Sequence, residues 1–432
     1  MRLCLVLSVM LSSAALPAQT TFHGNNARTG VYDTPGPRHL AGVKWTFKAG
    51  GAIMTSPAIA DGVVYIGAMD GHLYAIDQQS GKEKWNFKSS MPVQSSPAVA
   101  GGTVYFVSSV GSLVALEGAS DKLKWTLPTE FEKKFEAKNL HGYPPLNQTI
   151  PDGWDIFMSS PAVANGKVYF GSGDGNLYAV DAQTGVLQWK FATRDVVHSS
   201  PAVAGNTIYF GSWDGSLYAV DGESGQEKWS FRAGEDNATH NQVGFQGSPA
   251  VVDGVVYVGC RDSHVYALDA VTGRKKWDYP TSKSWVIGTP AVKDGVVYVG
   301  TSDSARFMAL DAKTGRLRFN FDAKAYEFSS AALSGDLAYF GDHNGRLYVV
   351  DTKTGKLAWE FQTEASKNDP LKLLNADGSL NQDSFTPTFG DFEDMYVDLY
   401  RLSTIGAIVS SPAVDHGGVY FGSMDGNLYA LQ

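Results

Sequence analysis

The residues of this chain that could do chemistry do not fall into the usual catalytic spacings. There is no His-Glu-x-x-His pair for zinc, no Gly-x-Ser-x-Gly turn to expose a nucleophilic serine, and no phosphate-cradling Gly-Lys-Ser/Thr loop. A carboxylate pair for glycoside cleavage stays open, because acids are common and their separation in space is not written in the sequence. What stands out is a set of polar and aromatic residues gathered in three irregular stretches, at about 128–158, 232–247 and 362–409. The first contains His141 and Trp154-Asp155, the second His240, and the third Asp391, Asp394 and Tyr396, while Lys283 and Trp285 lie in a short stretch nearby. Phe392, Met395, Tyr396 and Leu399 recur at helical spacing, with Asp391 placed to cap the helix start. Together these groups could form an acidic, aromatic cap that binds a ligand. Taken singly, each suits a short helix packing its apolar face inward with its acids in water. Asn375, Asp377, Ser379 and Asn381 alternate around Gly378 as in a calcium loop, but the glycine and the closing glutamate are misplaced for an EF-hand, so no metal ligand is assigned.

The elements that must position these stretches are a repeat. Ser56-Pro57-Ala58-Ile59 returns at Ser96-Pro97, Ser160-Pro161, Ser200-Pro201, Ser248-Pro249, Thr289-Pro290 and Ser411-Pro412, and in weakened form at Ser330-Ala331. A fixed pattern follows each start. In the third copy it reads Val168-Tyr169-Phe170-Gly171, then Asp174-Gly175, then Leu177-Tyr178-Ala179-Val180-Asp181, then Thr184-Gly185, then Trp189-Lys190-Phe191. The β-branched and aromatic runs have strand length. The Asp-Gly pairs suit tight hairpins that need positive φ. Four short antiparallel strands in a unit of about forty residues make a propeller blade. The eighth copy stops at Ala430-Leu431-Gln432, before its Trp strand, and that strand appears at the other end as Val43-Lys44-Trp45-Thr46-Phe47. The sequence therefore predicts an all-β, eight-bladed propeller of four-stranded blades, closed by its N-terminal strand. Residues 19–432 form one domain, and the three irregular stretches are insertions. All three run from an outer strand to the next inner strand, so they should emerge on one face of the disc, the expected binding surface.

Composition narrows the partners. Lys and Arg number 35 against 44 acids, a net charge of −9 with no basic block, which disfavours nucleic acid. Residues 1–18 read as an export signal, with Arg2, an apolar run from Leu3 to Leu11 and small residues up to Ala18; the alternative is an uncleaved anchor. No later segment is long and apolar enough to span a bilayer. Cys260 would be the one cysteine of the exported chain, so no internal disulfide is expected. A monomer is expected.

The stretch from Ala179-Val180-Asp181 through Thr184-Gly185 to Trp189 resembles the tryptophan-docking repeat of the pyrroloquinoline quinone (PQQ)-like, or quinoprotein-type, propellers. So do Ala75 to Trp85, Ala219 to Trp229 and Ala267 to Trp277, while the second copy departs with Glu117 and Asp121 and the sixth ends in Phe319. The opening Phe22-His23-Gly24-Asn25-Asn26-Ala27-Arg28-Thr29-Gly30 is similar to the lead-in of many such proteins. The resemblance implies that Trp45, Trp85, Trp125, Trp189, Trp229, Trp277, Phe319 and Trp359 are structural and dock one blade on the next. It also implies two functions. One is a non-catalytic scaffold that binds a protein, peptide or saccharide, as in the lipoprotein of the barrel-assembly machinery, although no lipobox is present here. The other is a PQQ- and calcium-dependent alcohol or sugar dehydrogenase with its site at the channel mouth. The adjacent cysteine pair and the haem attachment motif of many such enzymes are missing. That weighs toward the scaffold, with no cofactor assured.

Overall fold

A computed structural model describes residues 20–140, 147–234, 244–385 and 392–432. Each repeat folds as the pattern requires. In the third blade Asp174 turns the chain by accepting the N–H of Asn176 at 3.0 Å, and Gly175 takes φ +86° to close the hairpin. The strands Lys167–Gly171 and Asn176–Asp181 then pair antiparallel, with Phe170 opposite Tyr178. Asp181 makes the next turn by accepting the N–H and O–H of Thr184 at 2.8 and 2.7 Å. A bulge after Ala179 sets Trp189 opposite it. Eight such four-stranded sheets form, plus one two-stranded hairpin, Glu136–Lys138 with Thr149–Pro151, inside the first insertion.

The aromatic residue of the outer strand docks each blade on its neighbour. Trp189 donates its indole N–H to Gly222 O at 3.2 Å, and Tyr169 donates to the same carbonyl at 3.1 Å. Beneath the indole lies Gly225, where a Cβ would come within 2.7 Å of the ring. Trp125 stands over Gly185, Trp229 over Gly273 and Trp277 over Gly315 in the same way. Phe319 fills the equivalent place over Gly355 without an N–H to donate. The conserved shape is an aromatic plate on a glycine turn, and the hydrogen bond is an addition to it.

Closure follows the expected route. Val43–Lys48 pairs with Asn427–Leu431, Trp45 lies opposite Ala430, and Trp45 donates to Gln78 O of the first blade at 3.0 Å. This last blade has no turn joining its two outer strands, so Trp359 lacks the usual acceptor. Pro37 substitutes for it, and its carbonyl accepts from both Trp359 and Tyr339 at 3.1 Å.

The N-terminal lead-in has a structural role that the sequence did not disclose. An inner strand has no neighbour on its axial edge, so its N–H groups need acceptors. Carbonyls of Thr20, Asn26, Ala27, Thr29 and Gly30 accept from Val99, Val203, Val251, Val292 and Leu333, all at 2.7–2.9 Å. The segment thus winds around the axis and plugs one end of the channel. Arg28 points into the channel, fully buried, and donates to the carbonyls of Pro201, Phe22 and Ser160 at 2.8, 2.7 and 2.9 Å. Cys260 is a buried free thiol.

Candidate functional site: the closed mouth of the channel

Beyond the plug, the inner strands begin with the second serine of each pair. The hydroxyl of Ser96 accepts the backbone N–H of Ser56, Ser160 accepts from Ser96, and Ser200 from Ser160, each at 2.9 Å. Likewise Ser248 accepts from Ser200, Ser330 from Thr289, Ser411 from Ser330 and Ser56 from Ser411. These hydroxyls stitch neighbouring inner strands together around the axis.

At the opposite end the insertions converge. Gln246 of the second insertion donates to Trp154 O of the first at 2.7 Å. A Cβ on Gly153 of the first would come within 2.5 Å of Met395 in the third. Under them lies one apolar cluster containing Met54, Ile156, Ile287, Phe328, Leu402 and Val409, with Trp154 and Trp285 packed against it. Among the described residues, a void of about 40 Å³ in the channel has room for a few waters.

Two buried ion pairs hold the first insertion on the disc. His198 sits between Asp155 and Glu132, with Nδ1 and Nε2 each 2.8 Å from a carboxylate oxygen. Burial alone would drive the imidazole toward its neutral form, but the charges of Asp155 and Glu132 and the hydrogen bonds to both outweigh it and lift the pKa to about 10. Arg261, 1% exposed, reaches Asp152 at 2.6 Å and lies between Trp213 and Trp285, 4.6 and 3.7 Å from the ring centroids.

The residues singled out in the sequence fare unevenly. Asp155 is buried in the His198 pair, Trp154 stacks near His343 at 6.4 Å, and Trp285 covers Arg261. All three act inside the structure. Lys283 is exposed at φ +67°. The helical spacing is realised as α2 (Phe392–Thr404), whose Met395 and Leu402 are buried. Tyr396 does not join that buried face. It is 41% exposed, with Lys134 Nζ 6.0 Å from its ring, and Asp394 is half-buried. His141, His240 and Asp391 lie outside the described residues, as do residues 1–18. Among the described residues no group of three or more His, Cys, Asp or Glu is placed to hold a metal. In the loop around Gly378, Asp377 spends its carboxylate on the N–H and O–H of Ser379.

His198, Glu132, Asp152, Trp213 and Arg261 were missed. A signal for three of them existed. Aligned by repeat, Trp213 and Arg261 occupy the hairpin position held elsewhere by Met69, Gly173 and Met424, and His198 the position held by Met54 and Val409.

PQQ is a planar tricyclic quinone bearing three carboxylates, so a site for it needs a slot of a few hundred Å³ and free cations. Here the mouth is packed with apolar side chains, Arg261 and His198 are already paired with acids, and Arg28 faces backbone carbonyls. The residues present do not fit the cofactor in this conformation.

The fold is shared with proteins of both functional kinds. The chain resembles BamB from Moraxella catarrhalis at 15% identity and a TM-score of 0.66, over 90% of this chain and 99% of that one. It resembles a europium-containing methanol dehydrogenase at 14% identity and a TM-score of 0.68, over 95% and 98% of the two chains. The quinohemoprotein alcohol dehydrogenase from Comamonas testosteroni matches at 14% and 0.66, over 95% of this chain and 80% of that one. At such identities the likeness speaks for the fold alone. No curated protein matches in sequence. The family model described as outer membrane protein assembly factor BamB matches residues 41–141, 146–284 and 241–432. With its blades, docking tryptophans and closing strand in place, the chain belongs to that family of PQQ-like propellers.

Proposed function

We propose that this protein is an exported, non-catalytic binding or scaffolding module that engages a protein partner through the face bearing the three insertions. The observation that carries the reading is the packed channel. The N-terminal segment closes one end, the insertions close the other with an apolar cluster, and the space between suits water and not a cofactor. What the insertions leave outside is a surface with Phe131, Tyr396 and Tyr400 exposed at 51%, 41% and 66%. Aromatic residues of this kind are the usual anchors of protein interfaces. Among the described residues no helix is long and apolar enough to cross a membrane.

The test places a photo-crosslinking amino acid at Phe131, at Tyr400 and, on the opposite face, at Val271, which is 82% exposed. Adducts from Phe131 and Tyr400 but not from Val271 are expected. Adducts chiefly from Val271 would defeat the assignment of the face. In parallel, calorimetric titration of PQQ with calcium into the purified protein is expected to show no saturable heat. Tight calcium-dependent binding would mean that the insertions open, and the dehydrogenase reading would replace this one.

A further inference from the structure

The eightfold repeat provides an internal comparison for every position, and one position is anomalous. Three residues before the inner-strand serine, an apolar side chain lies on the glycine that ends the second strand of the preceding blade. Val93 covers Gly67, Val197 covers Gly171, Val286 covers Gly259, Ile408 covers Gly341 and Ile53 covers Gly422. Between the sixth and seventh blades the covering residue is Glu327, on Gly300. It is 1% exposed, and neither carboxylate oxygen has a hydrogen-bond partner among the described residues. A carboxylate left unpaired in an apolar seat is too costly to stay ionised, so the group is held as the acid.

A second acid lies in the adjoining segment, since His343 N donates to Tyr326 O at 3.0 Å and so sets the Asp342 hairpin beside the connection carrying Glu327. Asp342, fully buried, occupies the hairpin position held by Ser172, Ser212 and Ser423 elsewhere. Its carboxylate accepts from Asn344 N, Arg346 N and Tyr348 OH at 3.2, 3.1 and 3.0 Å. The same hairpin is fastened to the third insertion: Asn344 Nδ2 donates to Gly378 O at 2.6 Å, and Ile408 N donates to Asp342 O at 2.8 Å. The connection carrying Glu327 is covered by that insertion too, since Ala325 and Phe328 share the apolar cluster with Leu373, Leu402 and Ile405. Under this cover Glu327 is shielded from solvent.

We infer that Glu327 and Asp342 form a buried acid pair that latches the third insertion to the disc while Glu327 carries its proton, and releases it when the proton is lost. Arg346 favours the ionised form of Asp342, yet burial outweighs it. Asp322 adds a third negative charge and is itself 3.6 Å from Arg306. Arg346 is engaged with Glu360 at 2.6 Å, and Lys324 with Asp377 O at 2.6 Å. His343 is buried, neither ring nitrogen has a hydrogen-bond partner among the described residues, and burial drives it toward neutrality. Burial, then the charges of Asp342 and Asp322, push Glu327 well above the carboxylate range, and burial lifts Asp342 to about 7. Both are acids raised in the folded state, so seating of the insertion weakens as pH rises above the ordinary carboxylate range, about 4, and the part owed to Asp342 is fully lost once pH passes about 7.

Hydrogen exchange on the full chain at steps from pH 5 to 8, corrected for intrinsic base catalysis, reads the latch directly. Opening that releases one proton grows by up to about tenfold per pH unit. Amides of α1 (Glu364–Asn368) and α2 should show that excess protection loss, while those of the second and third blades should not. Glu327→Gln and Glu327→Val, the latter placing the side chain used at positions 93, 197 and 286, should both reduce it to the part that Asp342 contributes, which ends at about pH 7. A pH dependence in either variant that superimposes on the wild type, or a flat wild type, would overturn the inference.

Discussion

Replacing His198 tests whether the first insertion is held by an ion pair whose strength depends on pH. The imidazolium is surrounded by Asp155 and Glu132 and keeps its proton to about pH 10, against an ordinary 6.5. A base with a raised folded pKa stabilises fully below its unfolded value and loses that contribution as pH climbs through the folded one. The window is therefore pH 6.5 to 10, the slope up to about 1.4 kcal/mol per pH unit, and the whole span on the order of 4–5 kcal/mol. His198→Gln keeps the size and cannot titrate here. At neutral pH it leaves two buried carboxylates without their cation, a loss on the order of 3–5 kcal/mol. By pH 10 the wild type has lost most of the same stabilisation, so the gap between the two should narrow to about 1 kcal/mol or less. Urea unfolding of both proteins at steps from pH 6.5 to 10 gives the difference directly, and the titration of Glu327 and Asp342, common to both, cancels in it. A gap that stays constant across the range would refute the charged bridge and leave His198 a packing residue.

Trp189 is half-buried, so Trp189→Ala should lower stability by about 2–4 kcal/mol, somewhat under the range for truncating a fully buried aromatic, read as a lower denaturant midpoint. An unchanged midpoint would remove the indole from the blade junction. Gly166 and Gly225 both hold positive φ, +73° and +69°, but a Cβ at Gly166 meets nothing within 4 Å whereas one at Gly225 meets Trp189 at 2.7 Å. Gly166→Ala should therefore cost about 1–2 kcal/mol for the left-handed backbone alone. Gly225→Ala should cost a further ~1–3 kcal/mol for the clash, and equal losses would argue that the plate does not press on the turn.

Much of this protein is legible along the chain because its folding signals are local. Asp174-Gly175 and Asp181 through Gly185 each close a turn within a few residues, and the strand between them has room for one register only. Counting those units gives the blades, and the orphaned Trp45 strand gives the closure. The docking role of Trp189 is legible too, since its partner Gly225 belongs to the same motif one repeat on.

The candidate site is decided elsewhere. His198 meets Asp155 and Glu132 across 43 and 66 residues, and Arg28 meets Pro201 O across 173, pairings that no local rule specifies. Asp155 and Trp154, which the sequence offers as ligand contacts, are consumed by the fold, while Lys283 and the outer face of α2 remain exposed. Glu327 and Arg261 are visible beforehand only as departures from the repeat, and their meaning depends on what covers them. The sequence by itself determined the number of blades, their closure and their docking plates, because periodic turns and strands act over a few residues. The tertiary structure alone decided that the channel is filled and that its charges are paired, because ring closure brings distant segments to one axis, where burial selects which groups keep their charge.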